Sequence, residues 1–387
     1  MSAGSRATER GAAADDPTDY RRCAATCREL LPRVSRTFAV TISVLGGSMR
    51  DAVRTGYLLC RIADTIEDAW PGDRREVEGA FDRFTDALAG VATAASSLQY
   101  SAIELRGRVA EPYRDLVRST GTVLATWRAL PPGDRADVAD AVRVMAGGMR
   151  HYAGREAARE AELHVTGPHD RAAPAPGGAR ATDDSATVAR FAYLDDDREL
   201  ADYCWIVAGC VGVMLTKLFD RRAGGDPRAA ARRLELAPAV GEALQLTNIL
   251  LDWPADVREG RCHVPASWLR DEGLEPRDLV GPPHPGVERL AARLEARARA
   301  AIAIVPQYIA TLPARHVRYR MFCLWPALWA AASLAHARRD PEFPRGATRP
   351  KLPRPEIRRI ARAALLRGHT RAGVVALFRS VGIEPAD

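Results

Sequence analysis

The chain has 387 residues, 47% of them apolar, and a formal net charge of +7. It is long enough for two average domains or one large helical one. Its basic residues are spread through segments of alternating sign rather than gathered in a stripe with interleaved aromatics, which argues against a nucleic-acid binder. Lys217 and Lys351 are the only lysines, and the seven cysteines include no C-x-x-C pair. An odd number of scattered thiols fits a reduced, cytoplasmic protein.

Residues 1–17 are small, charged and patternless and are expected to be disordered. No apolar leader is visible, and the longest apolar stretch, Met321 to Ala337, is too short to span a bilayer comfortably. A first helix is expected after Pro17. Val34-Ser35-Arg36-Thr37-Phe38 then breaks the pattern and opens a second apolar segment that ends at Gly46-Gly47. Ser48 with Asp51 resembles a capping box, and Pro71-Gly72 would stop the helix that begins there.

That helix carries the stretch Tyr57-Leu-Leu-Cys-Arg61-Ile-Ala-Asp64-Thr-Ile-Glu67-Asp68. Steps of four, three and four put Tyr57, Arg61, Asp64 and Asp68 on one face, with Glu67 at its edge. The residues between them are apolar, so the acids are expected to look into a cavity. Clustered carboxylates repel unless a cation lies between them, and hard oxygen ligands suit Mg²⁺. A solvated helix end with an Arg–Asp pair would read the same way in isolation.

Helical periodicity continues over 74–90, 111–130 and 135–153. Residues 160–186, with Ala173-Pro-Ala-Pro-Gly-Gly178, read as a flexible insertion. Further helices are expected over 198–220, 238–256, 286–304 and 315–338, and no segment alternates as a strand does. The second acidic stretch, Gln245-Leu-Thr-Asn248-Ile-Leu-Leu-Asp252-Trp-Pro-Ala-Asp256, repeats the helical spacing and is followed by Arg258-Glu-Gly-Arg261. Two inward acidic stripes, each flanked by Arg, suggest Mg²⁺ ions between facing helices gripping a diphosphate. Charge builds on a diphosphate as its carbon–oxygen bond breaks, and the cation left behind needs a dry apolar pocket. The tail divides into a Pro- and Arg-rich segment, 341–354, and a basic helical pattern, 355–383. With Ile357, Ile360, Ala364 and Leu365 on one side, that helix could lie on a membrane surface or pack on the core.

These motifs carry a resemblance to the squalene/phytoene synthase family of head-to-head prenyltransferases. Val34 to Phe38 resembles its opening motif, and Tyr57–Asp68 and Gln245–Asp256 resemble its two aspartate-rich motifs. Between them, Asp202-Tyr203-Cys204-Trp-Ile-Val-Ala-Gly209-Cys-Val-Gly212 is similar to its Y-C-x-x-V-A-G-x-V-G block. Phe322-Cys323-Leu-Trp-Pro326, Lys217 and the basic stretch reaching Lys351 and Arg354 resemble the squalene branch. The resemblance implies an all-α, single-domain bundle of the class I isoprenoid synthase type around a central apolar cavity, with the domain over 18–340 and a basic flap and C-terminal helix over 341–387.

The implied reaction joins two farnesyl diphosphates into presqualene diphosphate and then, with NADPH, into squalene. Asp64, Glu67, Asp68, Asp252 and Asp256 would hold Mg²⁺, and Ser35, Arg36, Arg61, Gln245 and Arg261 would contact substrate. Tyr203, Tyr57 and Phe322 would serve the cationic centres, while Asn248, Lys351 and Arg354 would contact the reductant. Leu251 and Ala255 depart from the family pattern, which usually has Arg and Glu at those places, and Pro254 would remove a helix hydrogen bond inside the motif. A product such as hydroxysqualene or phytoene, a halt at presqualene diphosphate, another prenyl acceptor or a non-catalytic prenyl-diphosphate binder therefore stay open. Peripheral membrane contact through the basic tail and the oligomeric state are open as well.

Overall fold

The computed structural model describes residues 17–70, 74–105, 109–166, 191–192, 194–346 and 349–386. Among these the architecture is all-α, with a single two-residue parallel pairing of Phe191–Ala192 with Arg261–Cys262. Six helical elements close a ring: Arg36–Val44, Gly47–Ala69, Pro132–Thr166, the continuous run Asp197–Ala223, Pro227–Arg258 and Val317–Ala337. Each packs on the next, and the last returns to the first. Pro285–Thr311 backs Pro227–Arg258 from outside, while Pro17–Val34 and the short helices between 74 and 128 cover the opposite flank.

The ring is drawn tight at one wall. A Cβ on Gly241 would stand 2.2 Å from the Ala208 carbonyl oxygen, and one on Gly212 would stand 2.3 Å from that of Ala237. Both obstacles are backbone, so the two helices meet main chain to main chain and only glycine fits. Within the same wall, Trp205–Gly209 forms a π-helical turn that widens the helix just after Tyr203. Such turns recur at functional sites, because the extra residue re-aims the side chains that follow it.

Several local expectations are corrected. The first acidic helix begins at Gly47 on the Gly46 cap, with no capping hydrogen bond from a side chain, and Ser48 Oγ instead accepts from Arg222 Nε at 3.2 Å. Pro17 belongs to the first helix rather than to the tail before it, and the helix expected to end near 153 runs to Thr166, into the start of the expected insertion. The rest of that insertion lies outside the described residues, as do residues 1–16. The second acidic helix starts early, at Pro227 on an Asp226 cap, and continues through Pro238 and Pro254 to Arg258.

The expected 355–383 helix is two helices, Arg354–Arg367 and Arg371–Ser380, broken where the Gly368 carbonyl accepts from buried Arg320. Ile360, Ala364, Val374, Leu377 and Phe378 are buried against the bundle, so this tail packs on the core, although Leu365 is exposed. Among the described residues, the helix with the length and hydropathy of a membrane span is Asp197–Ala223 rather than the Met321–Ala337 stretch, and it forms part of the cavity wall.

The main-chain contact at the ring makes a direct prediction. Gly241→Val should lower unfolding free energy by about 2 kcal/mol or more, as overpacking against unyielding backbone does. Urea denaturation would check this, and an unchanged midpoint would refute the close approach.

Candidate active site

The ring encloses a cavity of about 560 Å³. Its mouth is polar, with Arg61, Asp64, Glu67 and Asp68 from the first acidic helix and Asn248, Asp252, Asp256 and Glu259 from the second. Its interior is apolar and aromatic, walled by Met145, Met149, Val207, Val211, Leu215 and Phe322. The two acidic stripes therefore face the same space, as their inward spacing required.

Arg261 ties them together. Its Nη1 donates to Asp68 Oδ1 at 3.2 Å, and its Nη2 donates to Asp256 Oδ1 at 3.1 Å and to Glu259 Oε2 at 2.7 Å. The guanidinium gets there because Gly260, at φ 89°, turns the chain back just after the second acidic helix ends. The short pairing with Phe191–Ala192 then holds the backbone of Arg261.

The carboxylates differ in their electrostatics. Burial pushes the Asp64 carboxyl up to about 6; Arg61, donating from Nη1 at 3.0 Å, opposes this, and neighbouring Asp68 adds to it. Burial likewise raises Asp252, against the pull of Arg349 and with a push from Asp256. Asp256 also feels burial, but His263 and Arg261 outweigh it and hold the carboxyl below its ordinary value. His263 Nδ1 lies 3.7 Å from Asp256 Oδ2.

The His263 ring lies 5.0 Å from that of Tyr203, and Tyr152 meets Tyr203 edge-on at 5.3 Å. Burial raises the Tyr203 phenol well above its usual range, with Glu67 and Asp68 adding to the effect, so it stays neutral. Tyr57 is pushed up to about 12 by burial, opposed by a hydrogen bond with the Ser35 hydroxyl, and its ring packs 5.1 Å from Phe38.

Of the residues expected from sequence, the cavity brings together Tyr57, Arg61, Asp64, Glu67, Asp68, Tyr203, Gln245, Asn248, Asp252, Asp256, Arg261 and Phe322. Four do not reach its wall. Ser35 caps the Arg36–Val44 helix by accepting from the Phe38 N–H at 3.2 Å, and Arg36, first in that helix, is exposed. Lys351 and Arg354 are exposed where the basic stretch runs into the Arg354–Arg367 helix. Lys217 also lies outside the cavity wall, with Nζ 3.9 Å from Asp137 Oδ1.

Sequence reasoning missed Arg349, which donates to both Asp252 oxygens and to Asn248 Oδ1. It also missed His263 and Glu259. Glu259 stands seven positions after Asp252, two helical turns along the same face, and that spacing was a usable signal. Arg349 sits in a Pro-rich stretch with no period to read.

The oxygen donor set fits a hard divalent cation. Among the described residues, no three acidic, His or Cys side chains are arranged to cage one as they stand, since Arg261 and Arg349 occupy these acids. Of the residues expected to meet a reduced nicotinamide, Asn248 lines the cavity with its side-chain oxygen accepting from Arg349, and Lys351 and Arg354 lie off the wall.

The family described as squalene/phytoene synthase matches residues 31–356. The chain belongs to that family. It is 43% identical over 108 residues to a phytoene synthase of Thermus thermophilus, covering 28% of this chain and 35% of that protein. It is 25% identical over 311 residues to the squalene synthase of Rattus norvegicus, covering 80% of this chain and 62% of that one. The matches thus span 35% and 62% of the length of these two relatives. The solved complex of TcSQS with the ligand BPH1237 superposes at a TM-score of 0.71 and 22% identity, over 93% of this chain and 91% of that one. Squalene synthase HpnC from Alicyclobacillus acidocaldarius does so at 0.50 and 21%, over 84% and 96%. At these identities the structural likeness is one of fold.

The raised Asp64 gives a pH test on cation-free protein. Its folded pKa, about 6, lies above the ordinary carboxyl value of 3.8, so the ionised carboxylate destabilises the fold increasingly as pH climbs through that window. Asp64→Asn should therefore melt higher than wild type at pH 7, with the gap closing towards pH 4. Equal melting temperatures at pH 7 would refute the burial of this charge.

Proposed function

We propose that this protein condenses two prenyl diphosphates head to head, with farnesyl diphosphate as the first candidate substrate. The observation that carries the reading is the Arg261 bridge between Asp68 and Asp256 at the mouth of an apolar cavity. It supports a polar rim that grips the diphosphate above a dry chamber that accepts the hydrocarbon. Family membership and the separate similarities to phytoene and squalene synthases favour the same chemistry.

In this reading Asp64, Glu67, Asp68, Asp252 and Asp256 would hold Mg²⁺, with Glu259 beside them. The metal would supply charge neutralisation for the departing diphosphate. Arg61 and Arg261 orient the diphosphate oxygens and accept their growing negative charge as hydrogen-bond donors. The allylic carbon–oxygen bond breaks with its electron pair leaving on the diphosphate. The alkene of the second substrate attacks the cation, and loss of a proton closes a cyclopropane. Tyr203, neutral and boxed by Tyr152 and His263, offers its ring face and hydroxyl near this chemistry. Phe322 and the Met145/Met149 wall keep water from the cation.

We further propose that the product is decided after presqualene diphosphate, by which species quenches the second cation. Hydride from NADPH would yield squalene, proton loss a dehydrogenated hydrocarbon, and water an alcohol. Incubation of the protein with Mg²⁺ and geranyl, farnesyl or geranylgeranyl diphosphate, with and without NADPH, would separate these by product mass. Asp64→Ala should lower turnover by about a hundredfold or more, as loss of a charge-stabilising group at a reacting centre does. Prenyl-diphosphate binding without any product from wild-type protein would favour a non-catalytic binder instead.

A further inference from the structure

Asp252 is held by a cation that lies far from it in the chain. Arg349 Nη1 lies 2.8 and 2.5 Å from its two oxygens, and Nη2 donates to Asn248 Oδ1 at 3.1 Å. The stretch before Arg349 is anchored on the end of the second acidic helix, where Arg258 donates to the carbonyls of Arg345 and Gly346 at 2.6 and 3.0 Å. After it, the Arg354–Arg367 helix packs on Val317–Ala337. Arg349 is thus tethered on both sides while its side chain stays 38% exposed and that of Asp252 32% exposed.

A partly buried pair separates at less cost than a fully buried one. Separation is also required for metal to bind. A Mg²⁺ ligand oxygen sits about 2.0–2.1 Å from its ion. A guanidinium nitrogen spanning both Asp252 oxygens leaves no room for that ion. Arg261 differs, because it is shared among Asp68, Asp256 and Glu259 and lines the cavity itself.

We propose that Arg349 is a placeholder cation: it occupies Asp252 until a divalent metal arrives with diphosphate, and it then transfers its hydrogen bonds to the diphosphate oxygens. The exchange leaves Asp252 paired with a cation throughout, a divalent ion taking the place of a monovalent guanidinium, and the extra positive charge is met by the diphosphate that enters with the metal. The displaced guanidinium finds an acceptor better matched to its planar fork than water is. Metal entry without diphosphate is thereby opposed, and entry with it is favoured. This rests on the diphosphate-binding reading above.

The test uses the full chain with Mn²⁺ and inorganic pyrophosphate, and no prenyl substrate. Arg349→Gln should bind Mn²⁺ alone about fivefold more tightly than wild type, as expected for losing a competing partly exposed ion pair. The same variant should bind pyrophosphate in saturating Mn²⁺ about fivefold or more weakly, for want of a charged donor. Arg349→Lys, which keeps the charge but not the fork, should fall between in both measurements, and it carries the test if the Gln variant is misfolded by circular dichroism. Opposite signs in the two titrations support the placeholder. Unchanged Mn²⁺ affinity, or weakening of both ligands together, overturns it. Wild-type protein that yields no prenyl product would remove the condensation reading while leaving this competition measurable.

Discussion

The structure depends on holding like charges together across an apolar space. Carboxylates about 6 Å apart repel by about 3 kcal/mol even at an effective dielectric of about 20. Six acids from two helices line one mouth here. The repulsion is answered by guanidiniums placed between them: Arg61 beside Asp64, Arg261 across the gap and Arg349 at Asp252. The answer is incomplete, which is why burial still raises Asp64 and Asp252. A site left short of positive charge is one suited to receive more of it.

The walls serve the same end. Gly212 and Gly241 let two helices touch at the main chain, and the π-helical turn lies beside that contact. Together they fix the side of the cavity from which Tyr203, Val207 and Val211 project. Tyr203 is then boxed by Tyr152 and His263, and His263 Nδ1 lies 3.7 Å from Asp256 Oδ2. The aromatic interior and the acidic rim are thus mechanically joined.

The second acidic motif lacks the acid usual at 255, yet the site is not correspondingly bare. Ala255 lines the mouth, and Glu259, one turn further on, brings a carboxylate to the same rim, where Arg261 meets it. Pro254 does not break the helix, which continues to Arg258; Arg258 Nη1 donates to the Pro254 carbonyl at 2.7 Å. Leu251 is buried, as an apolar residue on the far side of that helix should be.

Much was legible before any coordinates. The all-α class, the inward acids at 64–68 and 252–256, and the places of Tyr57 and Gln245 followed from helical period, because a helix face is set by local spacing, while Tyr203 and Phe322 followed from the family resemblance. Spacing also put Arg61 beside Asp64 and Arg261 near the second stripe, whereas tertiary structure alone decided that Arg349 answers Asp252. Arg349 lies 97 positions from Asp252, in a stretch without period, whereas Lys351 and Arg354, expected as cofactor contacts, lie off the cavity wall. It also decided that Ser35 would cap a helix and that the basic tail would bury its apolar side. A guanidinium on a long flexible stem goes where burial and charge leave an acid unmatched. That is a property of the assembled surface, and residue order does not encode it locally.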